Sequence, residues 1–177
     1  MVSGASSLRA EADAKTQRAE IREMRDSVLK ELFELKPELE SRLKKAEGYA
    51  VFSNVGVSLI FTSLAGGKGI VVEHGMLKDD ETFMKMGSAG IGLGLGVKDF
   101  RAVFIFTSED TLKTFIEKGW DFSGQADVAA KSDEKGGTLG ASGTAVRGME
   151  VYQITKNGIA LQATIQGTKY WKDKELN

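Results

Sequence analysis

The segment Ser88-Ala-Gly-Ile-Gly-Leu-Gly-Leu-Gly-Val97 alternates large apolar side chains with glycines. In a β-strand successive side chains point to opposite faces. Ala89, Ile91, Leu93, Leu95 and Val97 would therefore share one face and Gly90, Gly92, Gly94 and Gly96 the other, which is bare. Glycine in an element interior costs roughly 0.5 to 1 kcal/mol relative to alanine. Four in register predict a tightly curved strand with a helix lying on its smooth face. A groove for an acyl chain or peptide is an alternative, and phosphate binding is another. The spacing is not Gly-x-Gly-x-x-Gly, because Leu95 stands where the third glycine would be.

Outward from this segment the same short period continues. Tyr49–Phe52, Val57–Phe61, Gly69–Glu73, Phe100–Thr107, Phe122–Ala130, Glu150–Thr155 and Ile159–Gly167 are β-branched or alternating runs separated by Gly, Asn, Asp and Lys, which gives about eight strands in all. Between them, Thr107 and Ser108 can cap a helix with Glu109 and Asp110 in its first turn, Leu112, Phe115 and Ile116 on one face, and Gly119 beyond its end. Ser132–Gly148 reads as a long polar loop in which Leu139–Val146 could add a weak strand.

Before Gly48 the period is helical. Ile21, Met24, Val28, Leu32 and Leu35 recur at spacings of 3, 4, 4 and 3, so one face is apolar. Residues 1–20 are weakly apolar and are expected to form a frayed or extended helical N-terminus, with 21–177 as one domain. Pro37 suits the start of a second, short helix carrying Leu39 and Leu43, and the two helices form a hairpin. The expected fold is α+β: a strongly curved antiparallel sheet or barrel, packed by an N-terminal helical hairpin and one further helix.

Composition narrows the function. The 177 residues suit a single core, and 24 Lys and Arg against 25 Asp and Glu give no field that would seek nucleic acid. The absence of cysteine excludes disulfides, thiolate metal sites and a cysteine nucleophile. Any histidine chemistry must pass through His74, which lacks a second histidine or a nucleophile elbow; the residues favour a surface or satisfied imidazole there. No catalytic, metal or cofactor site is expected. No apolar run approaches the roughly 20 residues that a spanning helix needs, and Met1–Ser7 shows no secretory signal.

Gly66-Gly67-Lys68-Gly69 could turn several N–H groups toward an anion beside Lys68, although a hairpin turn with a solvated lysine is the plainer reading. Asp79, Asp80 and Glu81 read as a solvated turn. Arg42, Lys44 and Lys45 end the helical hairpin; Tyr170, Trp171, Lys172 and Lys174 form a second small basic group, with rings suited to a membrane interface. Each lysine near an anionic surface is worth about 1 kcal/mol.

The succession Leu43-Lys44-Lys45-Ala46-Glu47-Gly48-Tyr49-Ala50-Val51-Phe52, then Gly66-Gly67-Lys68-Gly69, Ile91-Gly92-Leu93-Gly94 and the apolar run at Phe104 resembles the SYLF domain family. The likeness continues through Phe115–Gln125 to Lys156-Asn157-Gly158 and Ala163–Gly167, covering about residues 25 to 170. The resemblance implies a β-rich body with flanking helices and a lipid-binding role without catalysis. Eukaryotic relatives bind phosphoinositides and associate with actin-rich membrane sites, while many bacterial relatives look like envelope proteins. Thr82-Phe83-Met84-Lys85 replaces a Trp and Pro found in many relatives, and Lys131–Gly137 replaces a Gly-Pro. The chain looks like the bacterial branch.

Two functions are expected from these readings. The first is a peripheral module on anionic phospholipids, with Lys68, Arg42, Lys44, Lys45 and Lys172 at headgroups, Tyr170 and Trp171 at the interface, and Gly66, Gly67, Gly69, Gly90, Gly92, Gly94 and Gly96 shaping the sheet. The second is an oligomeric scaffold in which the stripe Ile21–Leu35 pairs with another chain. The compartment would be periplasm or envelope if a signal had been trimmed, and otherwise cytoplasm.

Overall fold

The computed structural model describes residues 2–54, 66–88, 101–121, 144–146, 148–155, 158–160 and 168–177. The glycine-rich run 89–97 and the strands expected at 57–61 and 122–130 lie outside them, as does most of that at 159–167. Among the described residues three helices, α1 (Val2–Leu35), α2 (Glu38–Lys45) and α3 (Glu109–Lys118), flank one antiparallel sheet. Its strands are β1 (Gly48–Ser53), β2 (Gly66–Glu73), β3 (Asp80–Ser88), β4 (Arg101–Phe106), β5 (Trp120–Asp121), β6 (Thr144–Val146), β7 (Met149–Thr155), β8 (Gly158–Ala160) and β9 (Thr168–Lys172). The order is β5-β9-β3-β2-β1-β4-β7-β6, with β8 also on β7, and the sheet is curled as a half-barrel, which gives the expected α+β class with a curved sheet.

β1 is buried throughout because both of its faces are covered. Tyr49 and Val51 join Ile70, Val72, Val103, Ile105 and the helical residues Ile21, Val28, Leu32, Leu39 and Leu43 in one core layer. Ala50 and Phe52 join Phe104, Phe106, Leu112, Phe115, Ile116 and Tyr170 in the other. Each large aliphatic or aromatic side chain fully buried this way contributes about 1.5–3 kcal/mol. The rings of Phe52, Phe104, Phe115 and Tyr170 meet edge-on or tilted, with centroids 4.7 to 6.1 Å apart.

Within the stripe Ile21–Leu35, Ile21, Val28 and Leu32 are buried against the chain's own sheet, Met24 is partly buried on the same core, and Leu35 at the end of α1 is 45% exposed. Arg22 and Arg25 add ion pairs to Glu81 on β3 at 2.8 and 3.3 Å, and Glu31 pairs with Arg101 on β4. α3 forms where its caps demand. The Ser108 hydroxyl accepts from the Thr111 N–H at 3.4 Å, and Gly119 turns the chain away at φ 73°.

Two readings of turns give way to strands. Gly66–Gly69 is not a hairpin turn but the buried start of β2, where Gly69 lets the Phe52 ring lie against the backbone: a Cβ there would stand 2.6 Å from Phe52 Cε1. Asp80 and Glu81 open β3 instead of closing a solvated turn, because the alternation Phe83, Met84, Met86 continues the sheet beside β2. Thr168–Lys172 pairs with β3 as a further strand.

Candidate functional site

The residues expected at headgroups divide sharply once placed. Lys68 is not solvated: it is 6% exposed on the sheet face beneath α1. Its Nζ donates to Gln17 Oε1 and lies 3.9 Å from Asp173 Oδ2, while Lys85 Nζ lies 3.9 Å from the other oxygen of that carboxylate. An ammonium held there faces the protein and cannot meet a lipid phosphate in this fold. Arg42 differs from Lys68 in remaining exposed on α2, yet it donates to the buried carboxylate of Glu150, whose second oxygen accepts from the Tyr152 hydroxyl at 3.1 Å. Burial and the Glu150 charge push the Tyr152 phenol up to about 12.

Tyr170 is a core residue, not an interfacial one. β9 alternates, so Tyr170 points into the aromatic cluster while Trp171 points to the opposite face. Its hydroxyl accepts from Thr168 Oγ1 at 3.1 Å, and complete burial drives its phenol far above the ordinary tyrosine range.

Lys44, Lys45, Trp171 and Lys172 keep exposed side chains. Lys44 pairs with Glu40 one turn earlier at 3.0 Å, and with Lys45, Ser41 and Pro37 these residues line an open groove on α2. Trp171 is 43% exposed and is the one exposed aromatic side chain among the described residues. Its ring edge lies over Gly87 of β3, where a Cβ would come within 2.8 Å of Trp171 Cη2, and Lys172 follows it on the surface. The two basic groups are not brought together. Lys44 and Lys45 lie near the start of β1, whereas Trp171 is opposite Lys85, in the cross-strand row that includes Ser53 at the end of β1.

His74 follows β2 with Nε2 3.1 Å from the Leu43 carbonyl oxygen and Nδ1 3.4 Å from Asp79 Oδ1. Its ring, 5.7 Å from that of Tyr49, fastens the β2–β3 turn to α2. Two residues that sequence reasoning passed over stand at the apex of this turn: Met76 and Leu77 are fully exposed, and the signal was two apolar residues between Gly75 and Lys78. Among the described residues no group of three or more His, Asp or Glu could hold a metal ion, and no helix is long and apolar enough to cross a membrane.

No family model matches the chain. It is 35% identical over 163 residues to Beta cell expansion factor A of Aeromonas veronii, a match that covers 92% of this chain and 60% of that protein. It is 27% identical over 141 residues to LAS seventeen-binding protein 3 of Saccharomyces cerevisiae, covering 76% of this chain and 30% of the yeast protein. The chain is thus similar along most of its length to Beta cell expansion factor A, spanning less than two thirds of that protein and under a third of the yeast one.

Proposed function

We propose that the chain is a SYLF-type domain acting as a peripheral, non-catalytic lipid-binding module, with anionic headgroups as its ligand. The observation that supports this most directly is Trp171, half-exposed on a sheet whose other described aromatic side chains are buried or partly buried, with Lys172 and Lys174 exposed beside it. An indole is apolar over most of its area and polar at its N–H, which suits the layer between headgroups and acyl chains, and lysines next to it gain from a negative surface. Lys44 and Lys45 can add to the attraction from α2; Arg42 is exposed there too but shares its charge with Glu150, and Lys68, buried in the fold, does not contribute. The likeness to the SYLF family supports the same reading.

The test is co-sedimentation with phosphatidylcholine vesicles containing phosphatidylglycerol, at low and high salt. Binding that weakens with salt and on Trp171→Ala or Lys172→Glu is expected. Failure to pellet with any vesicle at either salt discards the reading.

A second reading, a protein-binding module, draws on the printed name of the yeast relative, which describes binding to LAS seventeen. With Ile21, Val28 and Leu32 buried, such a partner would have to meet a surface other than the α1 stripe. Retention of that partner by the isolated chain, with no vesicle binding, would favour this reading.

A further inference from the structure

The turn between β2 and β3 is firmly footed and bare at its tip. The His74 N–H donates to the Glu47 carbonyl at 2.9 Å, and the imidazole bridges Leu43 O and Asp79 as described above. The Gly75 N–H donates to the same Asp79 oxygen at 3.4 Å, closing the turn on itself. At its apex Met76 and Leu77 have relative exposures of 103% and 101%, so neither touches the body of the protein, and Lys78 follows them into solvent. Leaving two long apolar side chains wholly in water forgoes the burial that the rest of the sheet achieves.

We infer that Met76 and Leu77 form a wedge that enters the outer apolar layer of a lipid bilayer, with Lys78 at headgroup level. This rests on the lipid-binding reading and names the element that inserts. A convex tip of two side chains falls far short of the roughly 20–30 residues a side that a stable protein interface engages. A fluid bilayer closes around a convex tip and buries both side chains without a matching pocket. The tip also continues an edge that already carries interfacial chemistry. β9 runs antiparallel to β3 with Lys172 at its end nearer the turn, and the segment after it turns beside Phe83, whose carbonyl accepts from the Asp173 N–H at 3.0 Å and whose N–H donates to Asn177 Oδ1 at 2.8 Å. Trp171 and Lys172 therefore lie along β3, the strand that leads from this turn, and Lys174 in the exposed segment just after them.

The chain has no cysteine, so Leu77→Cys carries a unique site for an environment-sensitive fluorophore, with Glu117→Cys on the exposed side of α3 as control. Both labelled proteins are mixed with vesicles of phosphatidylcholine alone or with phosphatidylglycerol, and pelleting is measured on the same samples. A blue shift at position 77 and none at 117 is expected. Met76→Ser with Leu77→Ser should partition about a hundredfold more weakly while melting at the wild-type temperature. Normal pelleting with an unshifted dye and an unaffected double variant overturns the wedge and leaves the lipid reading standing. No pelleting of wild type with either vesicle overturns both. A wild-type dimer in light scattering that the double variant abolishes would make the tip a contact between copies and overturn the wedge as well.

Discussion

Lys68 Nζ and Asp173 Oδ2 stand 3.9 Å apart with both side chains buried under α1, and this pair ties the start of β2 to the segment after β9. Removing one partner strands the other charge in a poorly solvated place, at a cost of about 3 kcal/mol. Lys68→Ala should therefore lower the urea midpoint strongly. Lys68→Met combined with Asp173→Leu should recover most of the loss, because two apolar groups of similar size need no partner. Equal losses from the single and double variants would show that the pair is not coupled.

All three tyrosines, Tyr49, Tyr152 and Tyr170, have phenols raised above their ordinary value, with burial the largest cause in each. A phenol that holds its proton more tightly in the fold stabilises it fully below the unfolded value of about 10. For Tyr152 that stability is lost as pH rises through about 12. Phenolate absorbance in the native protein should therefore lag behind that of free tyrosine and then rise together with loss of circular dichroism. Smooth titration near pH 10 with the fold intact would contradict the burial.

Ser108 and Gly119 bracket α3. Ser108→Ala removes the side-chain acceptor for the Thr111 N–H and should cost about 1 kcal/mol. Gly119→Ala should cost more, about 2 kcal/mol, since φ 73° is unfavourable for alanine and the added Cβ would press on the Tyr170 carbonyl. Thermal melts of the two variants would rank them.

Arg42→Ala separates anchoring of the fold from contact with lipid. Its guanidinium satisfies the buried Glu150 carboxylate, so the variant should lose about 2 kcal/mol of stability. At a temperature where it remains folded, its vesicle binding should fall no further than that of Lys45→Ala. A selective loss of binding with unchanged stability would return Arg42 to the headgroups.

Local chemistry was legible in the sequence and distant pairing was not. Ser108, Leu112, Phe115 and Gly119 announce α3 because caps and period 3.6 act within a few residues. β1, β4 and β7 announce themselves through apolar runs. β3 was hidden because Asp80, Glu81 and Lys85 dilute its alternation; Glu81 is met by Arg22 and Arg25 of α1, and Lys85 by Asp173 of the segment after β9. The same distance hid the site. Lys68 reads as a loop lysine until Asp173 is set beside it, and exposed Arg42 shows no partner until Glu150 is. Tyr170 and Trp171 are chemically alike in sequence, and only the pleat, by pointing one inward and the other out, separates core from contact.

The segment after β9 fixes an order of events. Arg18 of α1 donates to the Leu176 carbonyl at 2.8 Å, and Gln17 meets Lys68 beside Asp173, so α1 is clasped by residues made long after it. Throughout synthesis its apolar stripe waits for a seat that residues in the 170s complete. Nascent chains halted before them should hold α1 undocked and vulnerable to proteases, and a holdase would find its window there.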